Sequence, residues 1–574
     1  MFLAKYSRVI FVKVSTYIIK FFKSKGIKDF FVFQGGAIMN LINEIGKDKS
    51  INYIVPHHEQ SLSMQVDTYA RLSGYGVGLA TSGPGATNLL TGFCSAYYDS
   101  IPCFFITGQV GQFHIKKNKN YRQFGFQETD VVNIFKSVSK YAVQIKDPKN
   151  IKHELEKAYH LSKVGRPGPV LLDIPFNIQI SEINPKKIKS YYPSAENQKE
   201  KAREYKKIKK LEKLLFNSTK PVFLIGGGIK NPDLSKIILE KIKKNNIPFV
   251  TTWMSQDISA FSNKLNIGSI GRNGHRSANL LCAEADLIVT FGQRFAVKNI
   301  FGKFGKDAKI VAIDIDKKEL KSPLIKINLG INLSIGNVLK NLKIQKKSIK
   351  WINRATEIKK KSYKIVVYRK KISQENINPF IFFNKISKLI NKNFNLHVDI
   401  GAHETWFFQS FLNKSGQKII NHCGHGAMGH AICSGIAGHY VRNNKNKNLV
   451  FIGDGGFMMN VQELNFIKTN KIPIKIVVLN NASLGNTFLG TLQAFKKTYG
   501  NDIENGYCAP NIKNISKGFE FKYFEISKNK NIDKVFKKFI RDKSFSILDV
   551  KISKYQPTAE LNQIQNENLK VILD

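Results

Sequence analysis

The chain of 574 residues is too long for one hydrophobic core, because cores stop growing at roughly 250–300 residues, so we expect about three domains. Its hydrophobic share of 42% excludes an intrinsically disordered protein. Lysine and arginine outnumber aspartate and glutamate by 90 to 42, but the excess is mostly lysine spread from end to end, which argues against a dedicated nucleic-acid-binding surface.

Short apolar runs divide the chain into three regions, and such runs are typical of strands buried on both faces of a parallel sheet. The runs are 30–33, 77–81, 103–108 and 170–175, then 221–228, 248–252, 286–292 and 309–316, then 396–401, 448–457, 474–481 and 546–553. Charged stretches at 183–210 and 340–378 separate the regions. We predict an α/β protein with three doubly wound parallel sheets, in domains at 14–185, 205–340 and 376–556.

The six cysteines are scattered without a CxxC pair, so the sequence indicates neither a zinc site nor a disulfide framework. The apolar opening segment, residues 1–22, is interrupted by four basic residues and has no run near the ~20 residues that a membrane span needs. We therefore expect a cytoplasmic protein without membrane contact.

The strongest local pattern is FIGDGGF at 451–457, followed 27 positions after Asp454 by Asn480 and Asn481. Both groups follow apolar strands, and ligands bind at the carboxyl ends of strands in open α/β sheets. A carboxylate and an amide oxygen suit Mg²⁺, and Gly455 and Gly456 allow a diphosphate to approach the backbone. Taken alone, an Asp-Gly turn and an Asn-rich loop would also explain these residues.

This paired pattern resembles the signature of thiamine-diphosphate enzymes, and further segments resemble acetolactate synthases. Those similar to the pyrimidine-binding domain are FVFQGGAI (31–38), PHHEQ (56–60), YARLSG (69–74), TSGPGATN (81–88), DSIPCFFITGQV (99–110), FGFQETDVV (124–132) and GRPGPVLLDIP (165–175). NHCGHGAMGHA (421–431) resembles the pyrophosphate-binding domain. The resemblance covers nearly the whole chain in the right order, and it implies thiamine diphosphate and Mg²⁺ as cofactors.

The resemblance implies catalytic roles for four residues of the first domain. Glu59 matches the glutamate that bonds the pyrimidine ring and stabilises its imino tautomer. Phe126 and Gln127 match a pair near the substrate, and Gln109 lies in the equivalent GQV loop. The alternatives are a solvated carboxylate for Glu59 and packing roles for the other three.

Cofactor contacts are carried over in the same way. The Gly426 carbonyl would accept from the pyrimidine amino group, and Met428 would support the bent cofactor from below. The full set of expected cofactor contacts is Gly36, Gly401, His403, Gly426, Met428, Gly455 and Gly456, and the expected Mg²⁺ ligands are Asp454, Asn481 and the carbonyl of Ser483. A core methionine at 428 and a helix-start histidine at 403 are the alternatives.

The central region carries Gly-Gly-Gly at 226–228 directly after a strand, which would also suit a dinucleotide-binding oxidoreductase, but no GxGxxG follows. Its later segments resemble the FAD-binding middle domain of acetolactate synthases. The FAD contacts implied are Arg166, Gly227, Arg294 and Asp314. Lys298 replaces the family's second arginine, so the sequence leaves open whether FAD, in a structural role, is bound.

The resemblance implies a carboligase that decarboxylates a 2-keto acid, with pyruvate expected, and joins the two-carbon unit to a carbonyl acceptor, as in branched-chain amino acid biosynthesis. Gly490, Phe176 and Ala402 depart from the family pattern around the substrate. The alternatives are a nucleotide-linked keto sugar as acceptor, as in surface polysaccharide synthesis, simple decarboxylation, and a noncatalytic basic nucleic-acid-binding protein. A homodimer or homotetramer is implied because family members place the cofactor between two chains, and a small regulatory subunit is a further option.

Overall fold

The computed structural model describes residues 11–118, 120–194, 198–300, 302–369, 377–442 and 446–557. The opening residues 1–10 and the predicted domain start at 376 lie outside these ranges. The described residues form two compact units. Unit 1 comprises the described parts of Met1–Ala195, His422–Asn444 and Asn460–Ile472, and unit 2 comprises those of Glu196–Asn421, Lys445–Met459 and Pro473–Asp574.

The first region forms a six-stranded parallel sheet. The described residues of this region form eight strands, namely β1 (Val12–Lys13), β2 (Asp29–Val32), β3 (Asn52–Ile54), β4 (Gly76–Ala80), β5 (Cys103–Gln109), β6 (Tyr141–Gln144), β7 (Val170–Pro175) and β8 (Glu182–Ile183). Its helices are α1 (Val14–Ser24), α2 (Met39–Lys47), α3 (Glu59–Ser73), α4 (Pro84–Asn88), α5 (Leu90–Tyr98), α6 (Val131–Phe135), α7 (Ile151–Lys163) and α8 (Phe176–Ile180). The sheet order is β3-β2-β4-β5-β7-β6, and β1 pairs with β8 separately.

The second region forms another six-stranded parallel sheet, of order β11-β10-β9-β12-β13-β14. It contains strands β9 (Pro221–Ile225), β10 (Phe249–Thr251), β11 (Asn266–Ser269), β12 (Leu287–Phe291), β13 (Lys309–Ile313) and β14 (Leu329–Ile331), with helices α9 (Gln198–Asn217), α10 (Pro232–Asn245), α11 (Arg276–Glu284), α12 (Ile335–Asn341) and α13 (Ile349–Arg369). Helix α9 begins within the first charged stretch of the sequence, and α13 lies within the second. Leu211 of α9 and Ala355 of α13 are buried in the cores on either side of this sheet.

The third region repeats the architecture with the order β16-β15-β17-β18-β20-β19. It contains strands β15 (Phe394–Val398), β16 (Lys418–Ile420), β17 (Lys447–Gly453), β18 (Ile474–Asn480), β19 (Lys522–Ile526) and β20 (Ser546–Lys551). Its helices are α14 (Pro379–Leu389), α15 (Ala402–Ser410), α16 (His430–Tyr440), α17 (Asp454–Met459), α18 (Glu463–Thr469), α19 (Gly485–Phe495), α20 (Ile512–Gly518) and α21 (Ile532–Arg541). The three parallel α/β sheets confirm the predicted fold class.

Two helices of the third region, α16 and α18, belong to unit 1. Helix α3 packs against α5 on one side and α16 on the other, so eleven of its fifteen residues are buried. The buried set includes polar residues such as Asp67 and Thr68 as well as Glu59. Buried polar groups require partners, and for Asp67 and Thr68 these include His422, just before α16, and His430 at its start.

The predicted apolar runs all contain strands, but some extend past the strand ends. The run at 448–457 stops being a strand at Gly453, because Asp454 begins helix α17. Among the described residues, no helix is long and apolar enough to cross a membrane.

Candidate functional site

Glu59 is the first residue of α3 and is only 7% exposed. The preceding residue, His58, caps the helix, since its side chain accepts a hydrogen bond from the Gln60 backbone N–H. Asn88, the last residue of α4, donates its amide Nδ2 to Glu59 Oε2 at 3.0 Å. The carboxylate is therefore held at a helix start with one oxygen fixed, which is a suitable geometry for a proton-handling group.

Glycines surround this carboxylate. A Cβ at Gly85 would lie 3.4 Å from Glu59 Oε1 and 2.7 Å from Thr81 Cγ2. A Cβ at Gly35 would overlap the Thr81 side chain, with Cγ2 at 2.6 Å, whereas one at Gly36 would meet nothing within 4 Å. The backbone of these turns therefore lies close to Thr81 and Glu59, and the space beside Gly36 stays open.

The structure brings Gln127 into the same area of unit 1. A Cβ at Gly83 would lie 3.0 Å from Gln127 Cβ, and both residues have positive φ, 58° and 63°. Phe126 next to it is 84% exposed. Gln109 does not reach this area by its side chain, which is 1% exposed and donates Nε2 to the Thr129 carbonyl at 2.8 Å. Its predicted role near the substrate stays a prediction.

The loop that contains Gly426 and Met428 is fastened at both ends within unit 1. His422 precedes it and His430 follows it, and both imidazoles lie against the Asp67 carboxylate of α3. Gly426 has φ 74°, donates its N–H to the His422 carbonyl at 3.3 Å, and leaves open space where a Cβ would be. Met428 is partly buried. The loop is thus a fixed segment with open space beside its central glycine.

Unit 2 brings the three expected metal ligands together at the ends of β17 and β18. One end of the Asn481 amide lies 2.9 Å from the Ser483 carbonyl oxygen and 3.0 Å from Asp454 Oδ1. The other end lies 2.9 Å from Ser483 Oγ. Tyr507 donates its hydroxyl to the second carboxylate oxygen of Asp454 at 3.1 Å. The side chains of Asp454 and Asn481 are almost completely buried.

These distances match a hexacoordinate Mg²⁺ site. At Mg–O distances of 2.0–2.1 Å, neighbouring oxygens of an octahedron lie about 2.9 Å apart. With a cation present, the Asn481 amide would turn its oxygen towards the position between Asp454 Oδ1 and the Ser483 carbonyl oxygen. Without one, it would present its nitrogen, because both neighbours are acceptors. Burial raises the pKa of Asp454 to about 6, a cost that a bound cation would offset.

His403 and two glycines form the adjoining part of this edge. A Cβ at Gly401 would lie 2.8 Å from His403 Cε1, and one at Gly453 would lie 3.3 Å from His403 Nδ1. Burial lowers the pKa of His403 to about 3, against a hydrogen bond to the Asp399 backbone that raises it. His403 Nε2 is buried without a hydrogen-bond partner among the described residues. A bound diphosphate would raise this pKa and accept from Nε2–H, so the residues fit the implied group.

The glycines at the end of β9 serve backbone packing in unit 2. A Cβ at Gly226 would lie 2.7 Å from Gln293 Cα, and one at Gly228 would lie 2.9 Å from Gly292 Cα. Gly227 is less crowded, with Met254 Cβ at 3.3 Å. The close approach of two strand ends therefore accounts for this glycine run without a dinucleotide.

The other residues implied for FAD have the following surroundings. Arg294 is half-buried, and Asp314 accepts from the Asp316 N–H at 2.8 Å. Arg166, in unit 1, donates Nε to Ser100 Oγ at 2.8 Å. FAD binding stays a prediction.

Three residues of the site were not assigned roles from the sequence. Asn88 ends the TSGPGATN motif, so the sequence could have indicated that its amide lies near the site. Tyr507 and Glu463 contact Asp454 and the turn before Glu59, respectively, across long sequence separations. No local pattern marks either of them.

Comparison with known proteins gives consistent matches along the chain. Sequence models described as thiamine pyrophosphate enzyme N-terminal TPP binding domain, central domain and C-terminal TPP binding domain match residues 12–134, 208–342 and 399–550. The acetolactate synthase large subunit of Lactococcus lactis is 30% identical over 94% of this chain and 92% of its own length. The probable acetolactate synthase large subunit of Methanocaldococcus jannaschii is 31% identical over 82% and 80%, and the chloroplastic acetolactate synthase 1 of Nicotiana tabacum 31% over 82% and 71%.

Proposed function

Because this chain belongs to the acetolactate synthase large-subunit family of thiamine pyrophosphate enzymes, we propose that it decarboxylates pyruvate and joins the two-carbon unit to a second pyruvate. Thiamine pyrophosphate, the same compound as thiamine diphosphate, and Mg²⁺ are its proposed cofactors. The observation that carries the proposal is that one end of the Asn481 amide lies 2.9 Å from the Ser483 carbonyl and 3.0 Å from Asp454 Oδ1, so the three expected Mg²⁺ ligands lie together.

Each half of the proposed site has a defined task. Asp454, Asn481 and the Ser483 carbonyl would hold Mg²⁺, and His403 would bind the diphosphate beside Gly401. Glu59 would hold a proton on the pyrimidine ring, with Asn88 fixing the direction of its carboxylate. When bound, thiamine diphosphate supplies the electron sink for decarboxylation. The protein contributes orientation and the exclusion of water.

We also propose roles for four further residues. A position near the substrate is proposed for Gln127 and Phe126, and a contact with the cofactor for Gly426 and Met428. Gln127 lies over Gly83 close to the Glu59 area, which supports a position near the substrate. The open space beside Gly426 supports the approach of a ring to its carbonyl. The relatives named above are acetolactate synthases, so the alternatives of a keto-sugar acceptor, simple decarboxylation and nucleic-acid binding receive no support from them.

The assembly and the location of the protein are also proposals. Several relatives are described as large subunits, which supports a smaller regulatory partner. A homodimer or homotetramer is proposed from the family resemblance, and sedimentation of the purified protein would measure it. No disulfide bond joins any of the six cysteines in the part of the chain that the structure describes, which supports a reducing compartment such as the cytoplasm.

The decisive experiment is carbon dioxide release from pyruvate by the purified protein with thiamine diphosphate and Mg²⁺. Glu59→Gln is the matched variant, and mass spectrometry identifies the product. Release that depends on Glu59 and yields acetolactate supports the proposal. Release with no acetolactate would exclude pyruvate as the acceptor, and no release from any keto acid would refute the decarboxylation.

A further inference from the structure

A buried carboxyl group lies beneath the turn that leads into Glu59. Glu463 begins helix α18 and is 0% exposed. Its Oε1 accepts a hydrogen bond from the backbone N–H of His57 at 2.9 Å. Both residues belong to unit 1, although they are 406 positions apart in the sequence. The donor is a backbone group two residues before Glu59.

Two neighbours of Glu463 hold the same histidine. Asn465 Nδ2 lies 3.1 Å from His57 Nε2. The ring of Phe466 meets the His57 ring edge-on, with centroids 6.2 Å apart. The α18 segment therefore contacts both the backbone and the side chain of His57, and this residue is tied to α18 at three points.

The turn after His57 leaves little freedom to Glu59. His58 Nδ1 accepts from the Gln60 N–H at 3.0 Å, and the His58 carbonyl accepts from the Leu62 N–H at 2.9 Å. With His57 held by Glu463 and His58 held by the helix, the backbone of Glu59 directly follows two fixed residues. Its side chain then reaches Asn88 Nδ2.

The second oxygen of Glu463 indicates how this carboxyl group is tolerated in the interior. Oε2 is buried without a hydrogen bond of good geometry, although the Ser61 hydroxyl lies near the carboxyl group. Ser61 Oγ accepts from Gln65 Nε2 at 3.0 Å and lies 3.2 Å from Cys433 Sγ. A proton on Oε2 would give Ser61 a further donor, while Oε1 keeps its bond to His57.

We propose that Glu463 is a positioning residue for Glu59: its carboxyl group holds the His57 backbone and so fixes the turn that places the Glu59 carboxylate. This inference rests on the role proposed above for Glu59. It assigns Glu463 no contact with the substrate or the cofactor. A residue that acts in this way matters through the acceptor at Oε1, not through its charge.

Two variants separate the acceptor from the charge. Glu463→Gln keeps an oxygen for the His57 N–H, whereas Glu463→Leu leaves that donor unpaired. Glu154→Leu is the control, because it removes a carboxylate of α7 in the same unit that accepts from the Tyr141 hydroxyl at 2.6 Å. Should Glu463→Leu fail to fold, Glu463→Asp withdraws the acceptor by one methylene and takes its place.

The first readout is hydrogen–deuterium exchange of the His57 amide in protein without cofactor. We expect exchange to be about 10-fold faster in Glu463→Leu and unchanged in Glu463→Gln and Glu154→Leu, since in the leucine variant the His57 amide loses the hydrogen bond that protects it. Unchanged exchange in Glu463→Leu would overturn the inference.

The second readout is the rate at which the C2 proton of bound thiamine diphosphate exchanges with deuterated solvent. Glu463→Leu should slow this exchange and kcat by about 10-fold with little change in the KM for pyruvate, and Glu463→Gln should restore the rate. If Glu59→Gln abolishes exchange but Glu463→Leu does not slow it, the inference fails and the proposed function stands. If Glu59→Gln has no effect, the role of Glu59 itself fails.

Discussion

The carboxylate of Asp67 lies 3.1 Å from Nε2 of His422 in the interior of unit 1, and neither side chain reaches solvent. His430 Nε2 lies 3.3 Å from the same oxygen, and the two imidazole rings stack with centroids 3.2 Å apart at 15°. Arg71 donates Nε to this carboxylate as well, at 3.0 Å. Burial alone would raise the pKa of Asp67, but Arg71 and the histidines hold it well below its usual range.

This cluster has the residue types of a metal site, yet its geometry favours hydrogen bonds. The ring planes of His422 and His430 are nearly parallel and lie one above the other. The lone pairs of their nitrogens lie in these separate planes and therefore do not converge on one ion. The guanidinium of Arg71 also forms an ion pair with the Asp67 carboxylate. Burial lowers the pKa of both histidines, which favours neutral rings beside the Asp67 carboxylate.

Asp67→Asn should destabilise unit 1 by about 1–3 kcal/mol, because Arg71 would lose one of its two buried counterions and keep only Asp99. Urea unfolding followed by intrinsic fluorescence measures the change. Lys47→Ala is the control, since the Lys47 side chain is 64% exposed in its pair with Glu44 and should shift the midpoint little. Equal midpoints for the two variants would contradict the assignment.

Asp454→Asn should weaken Mg²⁺ binding by about 10–100-fold in the presence of thiamine diphosphate, because a charged ligand becomes a neutral one. Asn481→Leu should have a similar effect, since it removes an oxygen from the same set. Titration with Mg²⁺ monitors binding. Asp533→Asn, which alters an exposed ion pair with Lys385, should leave the Mg²⁺ affinity unchanged.

Gly35→Ala and Gly36→Ala form a matched pair of neighbours. A methyl group at position 35 would overlap the Thr81 side chain, and because Thr81 is β-branched it has few other rotamers to adopt. A methyl group at position 36 would meet open space. We expect the first variant to lose about 1–3 kcal/mol and the second to lose almost nothing without cofactor. Thermal unfolding of both proteins tests this, and similar losses would show that Thr81 adapts.

The stability of unit 1 should depend on pH through Glu463. Burial raises the pKa of this carboxyl group to about 7 from its usual 4.5, outweighing the opposite effects of the His57 hydrogen bond and the nearby Ser61 hydroxyl. Between these values the folded protein binds a proton that the unfolded chain has released. Stability therefore falls as pH rises through this window, by at most about 1.4 kcal/mol per pH unit.

Glu463→Gln should remove this component, because an amide does not titrate in the window. Urea midpoints of wild type and variant, compared at several values from about pH 5 to 7.5, measure the difference. A constant difference across the series would show that Glu463 is ionised throughout.

The strands that were predictable from the sequence are the four central ones of each six-stranded sheet. The six edge strands of these sheets were not predicted, and neither was the separate pair β1 and β8. Central strands such as β5 and β18 are buried on both faces and therefore form continuous apolar runs. Edge strands such as β3 and β6 are short and partly exposed, so their sequences carry no such run. Burial on both faces is what made a strand visible in the sequence.

The candidate site divides in a similar way. Asp454 and Asn481 lie in a spaced local motif, so their meeting was predictable from parallel strands that end at one edge. The hydrogen bond between the His57 N–H and Glu463 was not predictable, because it depends on how two segments far apart in the sequence pack together. No local pattern in the sequence marks α18, and only the tertiary packing shows its buried carboxyl group.

The completion of unit 1 by α16 and α18 has a consequence for biosynthesis. The ribosome releases α3 long before these helices, and at 5–20 residues per second the interval is roughly 20–80 s. During that time Asp67 lacks His422 and His430, and the face of α3 that α16 covers is bare. A nascent chain stalled in this interval is therefore expected to be a client of chaperones, and a fragment that ends at residue 195 would stay in that condition permanently.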